Sequence, residues 1–522
     1  MANRRVARPR SRNGCITCKL RHVKCDEEKP ECLQCQRSGR KCDGYDTASQ
    51  TQLRQRIAER HRPLDRAVFG ADHRLLLRQE SRTERRYIDF FYARTSPAFS
   101  GFYDSKLWSY LIPQLGEHEP SIRHAMTAIG AIHARLQSPK CLPSSEESSA
   151  TTENFVLEEY NKSIQGLVKS LTCSGAESIE LTLTTCCLFV CLEILRGFKN
   201  EALNHIEAGL RIIVKHENSP GYTGQESELY AELRDLFTRL NLQASFMGRL
   251  LIPLKNHSAD TFRPGTPFTS LVQARSHLDQ VMTKGLLFIR SIGIMRERRD
   301  TDELLALKAE QQEIRCDLVS WRWSFDRLLE KIGSQLNPSE TCASLLLPIY
   351  FHTCLIWLLT VLGRTEDLFD DFIPDFEALV SSAEEIVRIG SPTYHASPPE
   401  NQSGDSTFTL EGEIIAPLYF AACRCRDPLI RRRAINILLH YSKREGMWDA
   451  RLYAAVANLV CEVEESQCLE QPMCATDIGS LARVYEAVQP KDFLRNPALV
   501  ILWTRPGGVD GTWKMRSVLV DW

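Results

Sequence analysis

Six cysteines near the N-terminus have the residue type and the spacing that bind metal. They form the unit C-x2-C-x6-C twice in tandem, at Cys15, Cys18, Cys25, Cys32, Cys35 and Cys42. A C-x2-C pair can direct two thiolates at one tetrahedral Zn²⁺. Two tetrahedral ions need about eight ligand positions, so six sulfurs suffice only if two of them bridge the ions. The pseudo-symmetry makes Cys15 and Cys32 the predicted bridges, and we therefore predict two Zn²⁺ per chain.

The alternative is a set of buried or disulfide-bonded cysteines. Residues 1–13 contain five arginines and no apolar run, so we recognise no secretory signal and expect an intracellular protein with reduced thiols. The 28 residues from Cys15 to Cys42 also have too little apolar surface to fold alone. Metal binding would have to supply most of the folding free energy, on the order of 10 kcal/mol per zinc.

Charge is distributed unevenly along the chain. Residues 1–62 contain 16 Lys and Arg against 7 Asp and Glu, whereas the remaining 460 residues contain 49 against 59. The two segments thus carry +9 and −10, and six thiolates with two Zn²⁺ lower the first value to about +7. A basic head on an acidic body indicates that the head binds a polyanion and that the body does not.

A basic stretch between the second and third cysteines completes a recognisable pattern. It runs Lys19-Leu20-Arg21-His22-Val23-Lys24, and Pro30 precedes the fourth cysteine by two residues. Together with the six cysteines, this segment resembles the fungal binuclear zinc cluster, a DNA-binding module. The resemblance implies two ligand sets that share Cys15 and Cys32. One set adds Cys18 and Cys25, and the other adds Cys35 and Cys42.

The resemblance also implies how DNA is recognised. In the family, the end of the first helix enters the major groove and contacts a CGG-like triplet. That places Arg21 and His22 at the base-reading tip. It places Lys19 and Lys24 against phosphates, together with the arginine-rich arm that precedes the first cysteine. The family's typical member has a lysine where this chain has His22, which can still donate to guanine acceptors. The implied partner is double-stranded DNA with CGG-like triplets.

The chain divides into five predicted segments. Residues 1–14 are a basic arm, 15–42 the zinc cluster, 43–80 a linker, 81–490 a helical regulatory domain, and 491–522 a C-terminal extension. In the linker, Leu53, Ile57 and Leu64 lie near helical spacing, which is a hint of a dimerising coiled coil. At most two heptads fit before Pro63 and its neighbours, whereas a coiled coil needs three or four, so a homodimer has weak support.

The fold class is predicted to be mainly α, with an irregular helical array in the body. Helices are predicted over Asn154–Leu171, Leu181–Phe198, Glu201–His216 and Thr301–Gly333, with the second and third forming an αα-hairpin. The first of these places Phe155, Leu157, Tyr160, Ile164, Leu167, Val168 and Leu171 on one apolar face. Loops are predicted over residues 138–153, 216–226, 253–267 and 391–412. Two β-prone segments, 498–504 and 512–522, flank Arg505-Pro506-Gly507-Gly508 and predict a closing hairpin.

A second resemblance covers most of the chain. The strings RYIDFF at 86–91, SGFYD at 100–104 and IRHA at 122–125 are similar to the start of the fungal transcription-factor middle region. Its later half is matched by PLYF at 417–420, CRDPL at 425–429, RRRA at 431–434, REG at 444–446 and WD at 448–449. The order of these strings agrees with the family, which implies a large helical regulatory region.

Several other features favour structural interpretations. Cys186, Cys187 and Cys191 lie on an apolar helix and are expected in the core, whereas Cys423 and Cys425 point in different directions and predict no metal site. The triplet 431–433 of arginines is expected to be structural. The acidic and aromatic stretch 366–377 is typical of activation segments, but we favour a loop that ends in a helix cap at Asp375. We identify Leu181–Leu192 as the longest apolar run, too short for the about 20 residues of a bilayer span, and expect no membrane association.

No G-x-S-x-G, P-loop, H-E-x-x-H or dinucleotide-binding glycine pattern is found, so we predict no catalytic residues and no enzyme. The sequence instead predicts a nuclear, sequence-specific DNA-binding transcription regulator of the RNA polymerase II type that also contacts the transcription machinery. Pathway-specific control of a metabolite gene cluster fits the resemblance. The alternatives are a zinc-stabilised helical adaptor and a metabolite-binding protein that do not contact DNA. Neither alternative needs the basic stretch between Cys18 and Cys25.

Overall fold

The structure is a computed structural model of the 522-residue chain. It describes residues 15, 18, 23, 25–29, 32–38, 42, 81–103, 105–137, 146–173, 179–220, 222, 224, 226–255, 266–292, 301–390, 407–441, 443–489 and 496–522. The chain divides into two compact units, Met1–Arg78 and Gln79–Trp522.

In the first unit, the described residues gather around the cysteines. One short helix, α1 (Leu33–Arg37), begins after Cys32, whose side chain accepts a hydrogen bond from the backbone N–H of Cys35. All six cysteines are buried, and Val23 is the apolar side chain packed against them among the described residues. This unit therefore has a sulfur core in place of an apolar one.

The second unit begins with a run of helices that share one apolar core. Their bounds are α2 (Arg82–Phe90), α3 (Ser96–Ser100), α4 (Ile112–His118), α5 (Pro120–Leu136), α6 (Glu146–Cys173), α7 (Ile179–Arg196), α8 (Lys199–Glu217) and α9 (Glu228–Phe246), with π-helical turns at Phe91–Thr95 and Leu107–Leu111. A capping box between Ser81 and Glu84 fixes the start of α2. A Cβ atom at Gly130 of α5 would lie 2.2 Å from the carbonyl oxygen of Tyr87. Glycine therefore lets α2 and α5 touch backbone to backbone.

The following helices form a second apolar core. They are α10 (Leu271–Ile292), α11 (Thr301–Ile332), α12 (Pro338–Thr360), α13 (Ile373–Gly390), α14 (Ile415–Arg424), α15 (Pro428–His440) and α16 (Ala450–Glu465), with 3-10 turns at Gly333–Gln335, Glu366–Phe372, Ala475–Asp477 and Ser480–Ala482. Trp321 of α11 stacks on Phe325 with ring centroids 4.9 Å apart. Its indole N–H donates to the carbonyl of Ala274 at 2.8 Å, which satisfies the polar atom of a fully buried ring.

Two small three-stranded sheets complete the second unit. In the first, β1 (Thr407–Thr409) pairs in parallel with β2 (Lys443–Glu445), which pairs antiparallel with β3 (Trp448–Asp449). In the second, β4 (Val484–Val488), β5 (Ala498–Thr504) and β6 (Lys514–Val520) are antiparallel in that order. Helix α16 covers one face of the second sheet, where Val456 and Val460 join the cluster of Val500 and Leu502.

The predicted mainly α fold and the closing hairpin are confirmed. However, β4 adds a third strand to this hairpin, and it lies within the stretch for which the sequence predicts helices. The β1–β3 sheet is also absent from the sequence predictions. Both omissions have the same cause. All four strands are only two to five residues long, too short for a local alternation to identify them, and β1 and β4 also pair with partners distant in sequence.

The predicted αα-hairpin is α7 and α8, joined at Gly197, which has a φ of +86° that favours glycine. The predicted long helix is α11. Helix α6 begins at Glu146, inside the predicted loop 138–153, and its predicted apolar face is wrong in part, although Phe155, Tyr160 and Leu167 pack against the first core. Leu157 and Val168 are 37% and 55% exposed, whereas Glu159 and Ser163 are completely buried.

The reason is that α6 packs a partly polar face against α5. Ser163 donates to the carbonyl of Ser121 at 2.6 Å, and Glu159 accepts from His124 at 2.7 Å and from Lys162 at 2.6 Å. These partners satisfy the buried oxygen atoms, so polar residues can replace apolar ones at the interface.

The identification of the longest apolar run was also wrong. Helix α12 is 23 residues long with a mean hydropathy of 1.8 over its best window, which by length and composition is enough to cross a membrane. It is the one such helix among the described residues, and 61% of that window is buried. A core helix of a soluble protein passes the same test, and α12 contributes Leu346, Ile349 and Ile356 to the second core.

The interpretations of Cys186, Cys187 and Cys191 as core residues and of the arginine triplet as structural are confirmed. Arg431 is fully buried and donates to Glu464 at 2.5 Å, while Arg433 donates to Glu377 and Glu384. The predicted cap at Asp375 is wrong, because α13 already begins at Ile373 and Asp375 lies in its first turn.

Candidate zinc centre and nucleic-acid interface

The two halves of the first unit present their cysteines in the same way. Cys18 N–H points at Cys15 Sγ at 3.4 Å, and Cys35 N–H points at Cys32 Sγ at 3.3 Å. In each C-x2-C pair, the backbone thus turns so that the second residue's amide faces the first residue's sulfur. An amide hydrogen bond stabilises negative charge on sulfur, and metal ligation requires the thiolate.

The sulfur atoms lie at the spacing that shared zinc ions require. Cys15 Sγ is 3.5 Å from Cys32 Sγ and 3.7 Å from Cys35 Sγ, and Cys18 Sγ is 3.6 Å from Cys32 Sγ. A tetrahedron with Zn–S bonds of about 2.3 Å has S···S edges of about 3.8 Å. Cys18 Sγ and Cys35 Sγ, which are implied to bind different ions, are also 3.8 Å apart. The six sulfurs therefore form one compact group.

Two overlapping sets of four sulfurs can be drawn in this group. In each set, the ligand atoms lie within 4.8 Å of one another, and the sets contain Cys15, Cys18, Cys25, Cys32 and Cys15, Cys32, Cys35, Cys42. Cys15 and Cys32 are common to both. These are the two ligand sets that the sequence resemblance implied.

Burial makes the site depend on metal. It raises the pKa of the Cys15 and Cys18 thiols and raises that of Cys32 to about 12. Thiolates in this position need a cation to offset their lost hydration. The buried, closely spaced sulfurs fit two Zn²⁺, which would supply positive charge and fix the geometry of the unit when bound.

Asp26 is a positioning residue that sequence reasoning missed. Its Oδ1 accepts from the backbone N–H groups of Glu28 at 3.2 Å and Leu33 at 3.1 Å, and its Oδ2 accepts from that of Gln34 at 2.7 Å. Desolvation opposes ionisation, but these N–H donors outweigh it and lower the pKa of Asp26. The carboxylate thereby ties the segment after Cys25 to the start of α1. No local sequence signal identifies this role, because the N-cap of α1 is Cys32 and Asp26 lies six residues before it.

The predicted DNA contacts Lys19, Arg21, His22 and Lys24 lie outside the described residues, as do the basic arm 1–14 and the linker 43–80. The described neighbours bound the basic stretch. Cys18 is helical, and Val23 N–H donates to the carbonyl of Cys18 at 3.2 Å. The stretch is thus attached to the sulfur cluster at Cys18 and again at Cys25.

A third group of potential ligands lies in the second unit. One ligand atom each of Glu84, His124 and Glu159 lie within 4.8 Å of one another. The ammonium group of Lys162 already contacts both carboxylates, at 2.6 Å from Glu159 and 3.2 Å from Glu84. This lysine supplies the cation for the group, which we therefore interpret as an ion-pair cluster between α2, α5 and α6.

Two family profiles match the chain. The fungal Zn(2)-Cys(6) binuclear cluster domain matches residues 13–52, and the fungal specific transcription factor domain matches residues 86–438. The second match alone covers more than half of the 522 residues. The chain belongs to the fungal zinc-cluster transcription factors. As a member of that family it is a DNA-binding transcription regulator, and its cofactor is a pair of zinc ions.

Relatives of this zinc-cluster factor are also transcription regulators. It is 24% identical over 555 aligned residues to the aspercryptin biosynthesis cluster-specific transcription regulator atnN of Emericella nidulans. The alignment covers 87% of this chain and 88% of the relative. It is 24% identical over 209 residues to transcription regulator lscL of Purpureocillium lilacinum, covering 39% and 49% of the two chains. White-opaque regulator 2 of Candida albicans is 47% identical over 53 residues, which are 10% of this chain and 12% of that protein. No solved structure matches the chain.

Proposed function

We propose that this regulator recognises CGG-like triplets in double-stranded DNA through the first half of its zinc cluster. The observation that supports this most strongly is the cluster of six buried sulfurs, with Cys18 and Cys25 at the two ends of a basic stretch. The cluster holds both ends of that stretch on one small, rigid unit. A head of about +7 after zinc binding attracts DNA phosphates.

We further propose a division of labour within the basic stretch. Lys19 and Lys24 contact phosphates, whereas Arg21 and His22 contact base edges. Phosphate contacts supply salt-dependent affinity without sequence preference. A good base contact supplies about 1–3 kcal/mol of discrimination between matched and mismatched sites.

The experiment measures the affinity of the zinc-loaded full chain for matched and mismatched triplets at several salt concentrations. Lys19→Gln and Lys24→Gln should each weaken binding to both sites and lower the salt slope by about 0.9. Arg21→Ala should weaken binding, and His22→Ala should chiefly reduce the preference for the matched triplet. His22→Lys should preserve or strengthen CGG binding, because lysine is a longer hydrogen-bond donor and is the residue that the family's typical member has at this position.

Two results would contradict this division. If His22→Ala loses affinity equally for both sites, His22 is a phosphate contact and base recognition rests on Arg21 and the backbone. If the wild-type chain shows no preference for any triplet while zinc is bound, the adaptor function, in which the cluster binds no specific DNA, is the better explanation.

Membership of this family also bears on where the protein acts and which genes it controls. We infer that the protein acts in the nucleus, through the transcription machinery and without catalysis, as a pathway-specific regulator of a biosynthetic gene cluster. Support comes from the relative that is named for control of the aspercryptin cluster and that matches along most of its length. Deletion of the gene, followed by transcript profiling and chromatin immunoprecipitation, should identify a contiguous set of bound and regulated genes. Scattered targets without a cluster would contradict the pathway-specific part.

Two subsidiary proposals concern the rest of the chain. We propose that Cys15 and Cys32 bridge the ions. We also retain a homodimer as a weak prediction, because the linker offers at most two heptads. Sedimentation of the zinc-loaded chain with and without a CGG-containing duplex distinguishes one protomer per DNA from two.

A further inference from the structure

A cavity of about 220 Å³ lies inside the second unit, where the helical core meets the C-terminal sheet. A single water needs roughly 10–15 Å³ by the same measure, so the space is large enough for an organic molecule. Helices α9, α10, α12, α14 and α16 contribute to its wall, together with β3 and β4. It lies in the regulatory body and contains none of the zinc ligands.

Seven aromatic side chains line the cavity. Phe246 and Trp357 are stacked with ring centroids 6.0 Å apart, and Trp357 is 6.1 Å from Phe420. Tyr419 and Trp448 line another side, with centroids 6.3 Å apart. Such flat, polarizable surfaces favour a ligand with an aromatic ring or a hydrocarbon body.

Two arginines line the same cavity, and their environments differ. Arg424 donates to Glu366 at 2.5 Å and to the carbonyls of Val484 at 3.3 Å and Tyr485 at 2.6 Å. Its charge is balanced by the Glu366 carboxylate. Arg424 is therefore a structural residue that joins α14 to β4.

Arg290 has no such partner. Its Nη2 donates to the carbonyl of Ser245, but its buried Nε has no hydrogen-bond acceptor in the described part of the chain, and no ion pair is formed there either. Burial lowers the pKa of Arg290 despite the opposing influence of Glu486, which lies on the exposed rim of the cavity. A half-buried guanidinium that lines a cavity and has no ion-paired carboxylate among the described residues is an incomplete anion site.

We propose that this cavity binds a small organic carboxylate with an aromatic or hydrocarbon body. Its carboxylate pairs with the Arg290 guanidinium, and its body packs against Trp357 and Phe420. The ligand supplies the counter-charge that Arg290 lacks among the described residues, and it fills the space beside the aromatic rings. The protein therefore carries an effector site in addition to its DNA-binding head.

The test uses two probes of the same shape, 1-naphthaleneacetate and its neutral amide, with isothermal titration calorimetry on the zinc-loaded full chain without DNA. The acid should bind one site, at least about tenfold more tightly than the amide, because a charge-assisted hydrogen bond is lost in the amide. Arg290→Met should reduce acid affinity to that of the amide, and Arg290→Lys should retain the preference. Arg211→Met, which removes an exposed arginine of α8, is the matched control and should change neither affinity.

A second variant tests the position of the site independently of Arg290. Ala416→Phe adds a ring to a residue that lines the cavity, so both probes should lose measurable binding. Three results overturn the proposal: the acid does not bind up to its solubility limit, acid and amide bind equally, or Ala416→Phe binds the acid like the wild type. Circular dichroism on each variant confirms that the fold is retained, and DNA binding does not enter the measurement.

Discussion

The two units of this protein are stabilised by opposite means. In the first unit the buried residues are cysteines, with Val23 packed against them among the described residues. In the second unit, two large apolar clusters include Trp108, Phe237, Trp321 and Phe376, all at most 1% exposed. The small unit lacks the apolar area to fold alone and must obtain its folding energy from metal, whereas the large unit obtains it from burial.

This difference also determines what each unit can do. A metal-held unit can expose most of its surface and still be rigid, which suits a basic stretch that must meet DNA. A helical body with a large core can enclose buried charges and a cavity, which suits regulation.

The largest expected effect is the loss of zinc from the first unit. Chelation should unfold that unit, because each structural zinc supplies on the order of 10 kcal/mol, while the thermal transition of the helical body stays in place. Far-ultraviolet circular dichroism and zinc content by mass spectrometry measure the two responses. A body that melts together with the chelated cluster would show that the two units are not energetically separate.

Serine substitutions at the cysteines test whether two of the sulfurs bridge the ions. Cys15→Ser or Cys32→Ser should disturb both ions if these residues bridge, whereas Cys18→Ser or Cys42→Ser removes a ligand from one ion only. The measurement is zinc per chain, with wild type expected at two. Equal zinc loss from all these variants, or one zinc in the wild type, would contradict a bridged cluster.

The next effect belongs to the buried charges of the second unit. Glu464 accepts from Arg426 at 2.9 Å and from Arg431 at 2.5 Å, and all three side chains are fully buried. It also accepts from the backbone N–H of Val484 at 2.8 Å, which joins α16 to the C-terminal sheet. Desolvation opposes ionisation of Glu464, but the two guanidinium groups hold its pKa below the ordinary value.

Glu464→Gln should therefore lower the free energy of unfolding by about 3–5 kcal/mol, because it leaves buried cations without a full counter-charge. Urea unfolding of the full chain measures this change. Glu330→Gln is the matched control, since its ion pair with Arg327 is more than half exposed and should be worth less than about 1 kcal/mol. Zinc content should not change in either variant. A cost for Glu464→Gln as small as that of the control would contradict the buried network.

A pH effect of similar or smaller size follows from His133. The ring is completely buried, its Nδ1 is 2.9 Å from Thr95 Oγ1 and its Nε2 is 3.1 Å from Gln137 Nε2, and burial lowers its pKa to about 4. The unfolded chain binds a proton at about pH 6.5. Between these values the unfolded state holds more protons, so stability rises with pH and is lost on acidification from about 6.5 to 4.

The loss attributable to His133 is at most about 3 kcal/mol. His133→Gln should flatten the dependence of the free energy of unfolding on pH in this window, while His440→Gln, at an exposed histidine, should leave it unchanged. Parallel pH profiles for wild type and His133→Gln would show that His133 is not the group responsible.

Sequence reasoning succeeded where the pattern is local and failed where long-range pairing decides. Six cysteines at fixed spacing predicted two zinc ions, and apolar periodicity predicted α7, α8 and α11. The predicted face of α6 is wrong in part, because Glu159 and Ser163 are buried through partners on α5, which no periodicity contains. Strands β1 and β4 were missed for the same reason, since each obtains its hydrogen bonds from a segment at least ten residues away.

The site shows the same limit. The residue types and their spacing identify the zinc ligands. The role of Asp26, in contrast, depends on where the chain turns after Cys25. The position of Arg290 at the cavity could not be foreseen either, because the residues that line it come from helices spread over more than 200 residues. Features that require three-dimensional proximity of distant segments are the ones that only the structure supplies.

The smallest expected effect returns to the first unit and concerns Asp26. Its carboxylate accepts three backbone N–H groups but contacts no sulfur in the described residues, so it should adjust the cluster without creating it. Asp26→Ala should lower zinc affinity by up to about tenfold, the lower end for residues that support a metal site from outside. Asp26→Asn retains an acceptor oxygen and should lose less. Competition with a chromophoric chelator measures the affinity, and zinc per chain should stay at two in both variants.

Because Cys32→Ser removes a ligand while Asp26→Ala removes only a helix-capping acceptor, the ratio of their effects on zinc affinity measures how far the metal outweighs hydrogen bonding in this unit. An Asp26→Ala protein that loses zinc as completely as Cys32→Ser would show that the fold of the small unit rests on its hydrogen bonds as much as on its metal, and the contrast with the helical body would then be wrong.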